Sequence, residues 1–177
     1  MSLMEKAYAK LHGSFFSLDG GSLGDALVDL TGGVLSKLKL DTDEGEMLAE
    51  GGALWTRLAL YCSWGYVMCA MHKVKPAAEN ATGPGGLLLN YTYNIVDCQT
   101  LSDGAQLVCM HNPWPSGKWH GAWGEQSREW KNPGMRTSVG YLGVPCVMFW
   151  GDQSNALFMH SRMQIYNRSC RSCKPCT

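Results

Sequence analysis

Apolar and polar positions alternate at two periods along this chain. Met4, Ala7, Tyr8 and Leu11 recur at helical spacing, which predicts a short helix ending near Gly13. Ser22 is placed to cap a second helix, with Asp25 three residues on and Leu23, Ala26, Leu27 and Leu30 as its apolar stripe. Thr31-Gly32-Gly33 stops it. Residues 34–40 then alternate as a strand does. Asp43 and Glu46 read as a capping box, and their charges complement the dipole of the helix they open. That third helix is expected to run to about Ser63, with Leu54, Trp55, Leu58 and Tyr61 facing the core.

The pattern changes after Gly65. Residues 66–71 form a continuous apolar run, as in a strand buried on both faces. Residues 73–86 are rich in Pro, Gly and Asn and read as a surface loop. Two β-rich runs within 88–114 flank a turn that ends in Asp103-Gly104, a hairpin pattern. The loop at 115–140 carries Trp119, Trp123 and Trp130, so it is expected to fold back over the sheet. Residues 144–150 read as another strand, 153–158 as a short helical turn, and 163–166 as a strand that closes the sheet. Three helices in the N-terminal part followed by mostly antiparallel strands make an α+β layout.

Composition removes several classes of function. Fifteen Lys and Arg balance fifteen Asp and Glu, which gives no support to nucleic acid or an anionic membrane as partner. No apolar run is long enough for a membrane-spanning helix, and no signal-peptide layout opens the chain. The expected setting is therefore cytoplasmic. There, Cys62, Cys69, Cys98, Cys109 and Cys146 read as buried reduced thiols. The sequons at Asn80, Asn90 and Asn167 read as chance matches. Cys170, Cys173 and Cys176 supply one thiolate fewer than a closed zinc site needs, so 169–177 is expected to be a flexible tail. The acids at 41–46 do not form a calcium loop, because Glu46 stands where that loop requires Gly. His12, His72, His120 and His160 lack metal-ligand spacing. The Met residues of the strands read as core fillers.

Several segments together resemble one family. Glu5-Lys-Ala-Tyr-Ala-Lys-Leu11, Ala26-Leu-Val-Asp-Leu-Thr-Gly-Gly33, His111-Asn-Pro-Trp114, Trp119-His-Gly-Ala-Trp123, Ser127-Arg-Glu-Trp130 and Ser161-Arg-Met-Gln-Ile-Tyr-Asn167 are similar to the second lobe of the calpain cysteine-protease core. The resemblance implies a papain-like second lobe over residues 1–168. It implies a division of labour in which a first lobe carries the nucleophilic Cys, while this lobe carries a general-base His and an Asn that orients it. It also implies calcium bound by each lobe.

The departures change the expected function. Asn90-Tyr-Thr-Tyr93 aligns with the family's Gly-His-Ala-Tyr, so Tyr91 stands where the His belongs. A phenol with an ordinary pKa of about 10 is mostly protonated at neutral pH and is a poor base. Asn112 keeps the orienting position, and Trp114 the shielding aromatic position; its alternative reading is an ordinary core aromatic. His111 precedes Asn112 on a strand and should point to the opposite face. No counterpart of the Cys lobe is present, and Cys69 and Cys109 read as packing residues. Of the family's calcium carboxylates only Glu125 is retained, with Lys118, Cys146 and Met148 at other acidic positions. No cofactor is therefore expected. The leading expectation is an inactive pseudo-protease that binds another domain of its parent chain or a protein or peptide partner, with a cytoskeletal partner in view. The rival is the functional half of a calcium-dependent cysteine endopeptidase.

Overall fold

The helices begin where side chains take up their unpaired N–H groups. In this computed structural model, which describes residues 2–74, 81–114, 116–124, 127–131 and the backbone of two further strands, helix α1 spans Leu3–Leu11 and α2 spans Leu23–Thr31. The Ser2 hydroxyl accepts from Glu5 N at 3.1 Å, and Ser22 Oγ accepts from Asp25 N at 3.4 Å. Gly32 ends α2 in the left-handed conformation at φ 62°.

The expected third helix is two helices, so the N-terminal part holds four. Helix α3 covers Asp43–Glu50 and α4 covers Ala53–Ser63. Gly51 and Gly52 separate them, with Gly52 at φ 69°. Helix α3 is capped by Thr42, whose hydroxyl accepts from Gly45 N at 3.3 Å, rather than by Asp43. Gly45 is buried at the foot of the first strand. A Cβ there would lie 2.2 Å from Lys39 O and 2.6 Å from Leu40 Cα. Absence of a side chain lets α3 approach that backbone closely.

Among the described residues, six strands form one sheet. They are β1 (Val34–Lys39), β2 (Met68–His72), β3 (Thr92–Thr100), β4 (Gln106–His111), β5 (Met148–Trp150) and β6 (Met163–Ser169). Their spatial order is β1-β6-β2-β3-β4-β5, and each pairing is antiparallel. The last strand does not close an edge as its place in the sequence suggested. It lies inside the sheet between β1 and β2.

The β3–β4 hairpin turns through Leu101 and Ala105, whose N–H and carbonyl meet at 2.8 Å. Gly104, at φ 86°, supplies the left-handed turn residue. A bulge between Ile95 and Asp97 inserts Val96 into β3 without a partner on β4. It reverses the alternation of β3. Tyr93 and Ile95 face the core before it, and Cys98 faces that core after it.

The main core packs α4 on the sheet. Leu54, Trp55 and Leu58 meet Met68, Ala70, Tyr93, Ile95, Val108 and Met110. Tyr61 packs partly buried against the same cluster, as its helical spacing predicted. A smaller cluster joins Leu101 and Leu107 to Trp123, with Trp130 alongside. The stripe expected on α1 is not buried: Met4 and Leu11 are exposed, and Ala9 is the buried residue of that helix. The tail expected from 169 begins one residue later, because Ser169 pairs with Val34 as the end of β6; the helical turn expected at 153–158, residues 170–177, His160 and Cys146 lie outside the described residues.

Candidate functional site

The site positions converge where β3 begins and β4 ends. Asn90 prepares the first of these. It adopts a left-handed backbone at φ 62°, which Asn tolerates better than most residues. Its N–H donates to His72 O at 2.8 Å, and its side-chain oxygen accepts from Val74 N at 2.8 Å. The chain is thereby pinned to the end of β2 before it delivers Tyr91 and Thr92. Below them, the buried Tyr93 hydroxyl accepts from Leu88 N at 2.9 Å.

Asn112 organises the other side. Its amide nitrogen donates to Ser116 O at 2.8 Å and to Gly117 O at 3.0 Å. Its side-chain oxygen accepts from Trp114 N at 2.9 Å, an Asx turn. Trp114 then reaches back, and its indole N–H donates to Thr92 O at 3.2 Å. Its ring meets Tyr91 edge-on, with centroids 4.9 Å apart. Trp114 remains 43% exposed, so it is a surface aromatic and not the core residue that its alternative reading implied.

The structure therefore brings Tyr91 and Trp114 together and ties Asn112 to the loop that carries Trp114. Sequence reading missed Asn90 and the Tyr93 hydroxyl as the groups that set this end of the sheet. A left-handed Asn before a strand leaves only a weak signal, since Asn is common in loops of every kind.

The tryptophan loop folds back over the sheet as its composition suggested. Trp119 packs against the main core and donates from its indole to Ala122 O at 2.8 Å. Gly85 lies beneath it: a Cβ there would fall 1.9 Å from the Trp119 ring, and Gly85 also holds φ 73°. His120 N donates to Gly85 O at 2.9 Å, which joins the 83–86 turn to the same loop. Trp123 is buried and meets Trp130 edge-on at 5.1 Å, and the Trp130 indole donates to Gly124 O at 2.9 Å.

Lys118 is exposed, and Glu125 lies outside the described residues. Among the described residues no three His, Cys, Asp or Glu side chains converge as metal ligands.

The thiols fall into two groups. Cys69 and Cys109 are buried packing residues, and burial pushes both up to about 11. Cys62 and Cys98 are half-buried. The neighbouring Cys98 side chain lowers the Cys62 pKa, and Cys62 together with burial raises that of Cys98.

Comparison with known proteins fits this architecture. The model of the calpain family of cysteine proteases matches residues 1–167. The calpain-type cysteine protease DEK1 of Zea mays is 35% identical over 178 aligned positions, covering 98% of this chain and 8% of that protein. The related protease ADL1 of Oryza sativa is 36% identical over 132 positions, covering 73% of this chain and 6% of its own length. Calpain-13 of Rattus norvegicus is 34% identical over 152 positions, covering 84% of this chain and 22% of that protein. The chain thus spans less than a quarter of the length of each of these relatives. No helix among the described residues is long and apolar enough to cross a membrane. Sequence segments, mixed helix-and-sheet architecture and family match agree: the chain belongs to the calpain family of cysteine proteases.

Proposed function

We propose that this calpain-family peptidase domain is catalytically inactive and works as a protein-binding module. The observation that carries the reading is the state of Asn112. Its three side-chain hydrogen bonds all go to backbone of its own loop. Tyr91, at the general-base position, faces the Trp114 indole. Cysteine-protease chemistry needs a group near neutrality that takes and returns a proton, and a phenol does this poorly at pH 7. The half-exposed Trp114 beside Tyr91 offers an aromatic anchor to a partner surface, the residue type that dominates binding energy at interfaces. A domain of the parent chain is the favoured partner. The reading assigns no calcium to this lobe, given Lys118 at a carboxylate position. The reading places the chain in a cytoplasmic setting, where Cys62, Cys69, Cys98 and Cys109 stay reduced.

A chimera tests the reading. This lobe replaces the second lobe of an active calpain core, and cleavage of an unfolded protein is measured with and without calcium. The expected result is no cleavage, including after Tyr91→His, because Asn112 stays engaged with its loop. Calcium-dependent cleavage by the unaltered chimera, blocked by a thiol alkylator, would overturn the proposal.

One observation favours the rival reading, an active half-enzyme with a recruited base. His72 ends β2 and takes the Asn90 N–H on its carbonyl, which places an imidazole-bearing residue next to the start of β3. If His72 is that base, the chimera cleaves substrate and His72→Ala abolishes the cleavage.

A further inference from the structure

The chain contains two Asp-Gly pairs, Asp19-Gly20 and Asp103-Gly104, and all four residues are exposed. Glycine after aspartate favours ring closure, because no side chain blocks the approach of the glycine nitrogen to the carboxyl carbon. The fold then separates the two pairs. Asp103 lies in the β3–β4 turn, where its carboxylate accepts from Ala105 N at 3.0 Å, an Asx turn. The Gly104 N–H donates to Leu101 O at 3.0 Å. Carboxyl and nitrogen are both held there. Asp19 lies between the short turn Phe16–Leu18 and α2. Its carboxylate and the Gly20 N–H form no hydrogen bond with the described residues. Gly20 sits at φ 87° with open space around it, and Gly21 follows. Successive glycines let the intervening peptide unit rotate at little steric cost.

We propose that Asp19-Gly20 is a modification site, where aspartate isomerises to isoaspartate and the product is taken by an isoaspartyl carboxyl methyltransferase. His12 Nε2 lies 3.2 Å from Asp29 Oδ2, so α1 and α2 stay linked across the altered connector. The change falls in an exposed loop that tolerates it, and the folded chain displays the product.

The steps balance. The Gly20 nitrogen attacks the protonated Asp19 carboxyl at Cγ, loses its proton, and the carboxyl hydroxyl departs with it as water. A five-membered imide results. Water then adds to one ring carbonyl. Opening at Cγ restores aspartate. Opening at the backbone carbonyl leaves the chain running through Cβ and Cγ, one methylene longer, with a free α-carboxylate. One water leaves and one returns, so mass is unchanged. The methyltransferase moves a methyl group from a sulfonium donor to that carboxylate, leaving a thioether.

The test holds the whole chain for weeks at physiological temperature and mildly acidic pH. One portion is labelled with isoaspartyl methyltransferase and a radioactive methyl donor. The other is digested with an endoproteinase that cuts before aspartate but not before isoaspartate, and the peptides are sequenced by electron-transfer fragmentation. The expected result is an uncut junction after Leu18, several-fold more abundant than its counterpart at Asp103. Asp19→Glu should remove most of the label, and Asp103→Glu should keep it. Unfolding in urea should bring the two pairs to similar rates, since the bonds that hold Asp103 are then gone. Equal isomerisation at the two pairs in the folded chain would overturn the proposal. So would isoaspartate at Asp19 that takes up no methyl label.

Discussion

The Tyr91 ring stands edge-on to the Trp114 indole, with centroids 4.9 Å apart and planes at 82°. An indole N–H bond to Thr92 O at 3.2 Å completes the contact between the start of β3 and the exit of β4. Trp114→Ala removes the ring pair and the bond together. Partial exposure moderates the cost, which is expected at about 1–2 kcal/mol. Urea unfolding of the variant measures it, and an unchanged midpoint would separate the two rings energetically.

Asn112→Ala removes the side chain that folds loop 112–117 onto itself. The bonds are near solvent, so the loss of global stability is expected to stay near about 1 kcal/mol. Local opening should grow much more. Limited proteolysis is expected to cut the variant first within this loop, and a digestion pattern identical to the parent's would show that Asn112 does not hold it.

Tyr93→Phe deletes one oxygen in a buried place. Leu88 N then loses its acceptor inside the core, an expected cost of about 1–3 kcal/mol. Thermal unfolding checks this. Hydrogen exchange should show faster exchange at Leu88 than in the parent.

Gly45→Ala is expected to be more severe than its single methyl suggests. The new Cβ would press on Lys39 O and Leu40 Cα, both backbone atoms that cannot rotate away. A loss of about 2 kcal/mol or more follows from such overpacking. An Ala variant as stable as the parent would mean that α3 shifts freely off β1.

Alkaline pH should weaken the fold. Cys69 and Cys109 are pushed up to about 11 from an ordinary 9.0, in each case chiefly by burial. The unfolded chain therefore releases their protons first. Their contribution is fully present below about pH 9 and is lost as the pH climbs toward about 11. Unfolding midpoints taken across that range should fall, and Cys69→Ala should flatten part of the decline.

The local parts of this fold were legible in the chain, and the parts that depend on distant neighbours were not. Ser22 and Gly32 bound α2 as their chemistry requires, and Leu54, Trp55 and Leu58 lie on one buried stripe. The break at Gly51-Gly52 was hidden because the apolar spacing of 47–63 continues across it. Placement of Tyr91 and Asn112 near one another followed from the family resemblance and the hairpin. The direction of the Asn112 amide did not, because its partners are backbone carbonyls whose positions depend on how the 112–117 loop closes. The inward turn of Cys98 depends on one unpaired residue at Val96, a detail of register that periodicity cannot resolve.

The central place of β6 has a consequence for how the chain assembles. Among the described strands β6 comes last in sequence, yet it bridges β1 and β2, which come first. Until it arrives, the edge of β2 carries unpaired backbone groups beside the buried Met68, Cys69 and Ala70. Such an edge invites pairing with other chains. A ribosome releasing this domain therefore holds an unfinished sheet until β6 has emerged, and the aggregation risk of the domain is greatest before that point.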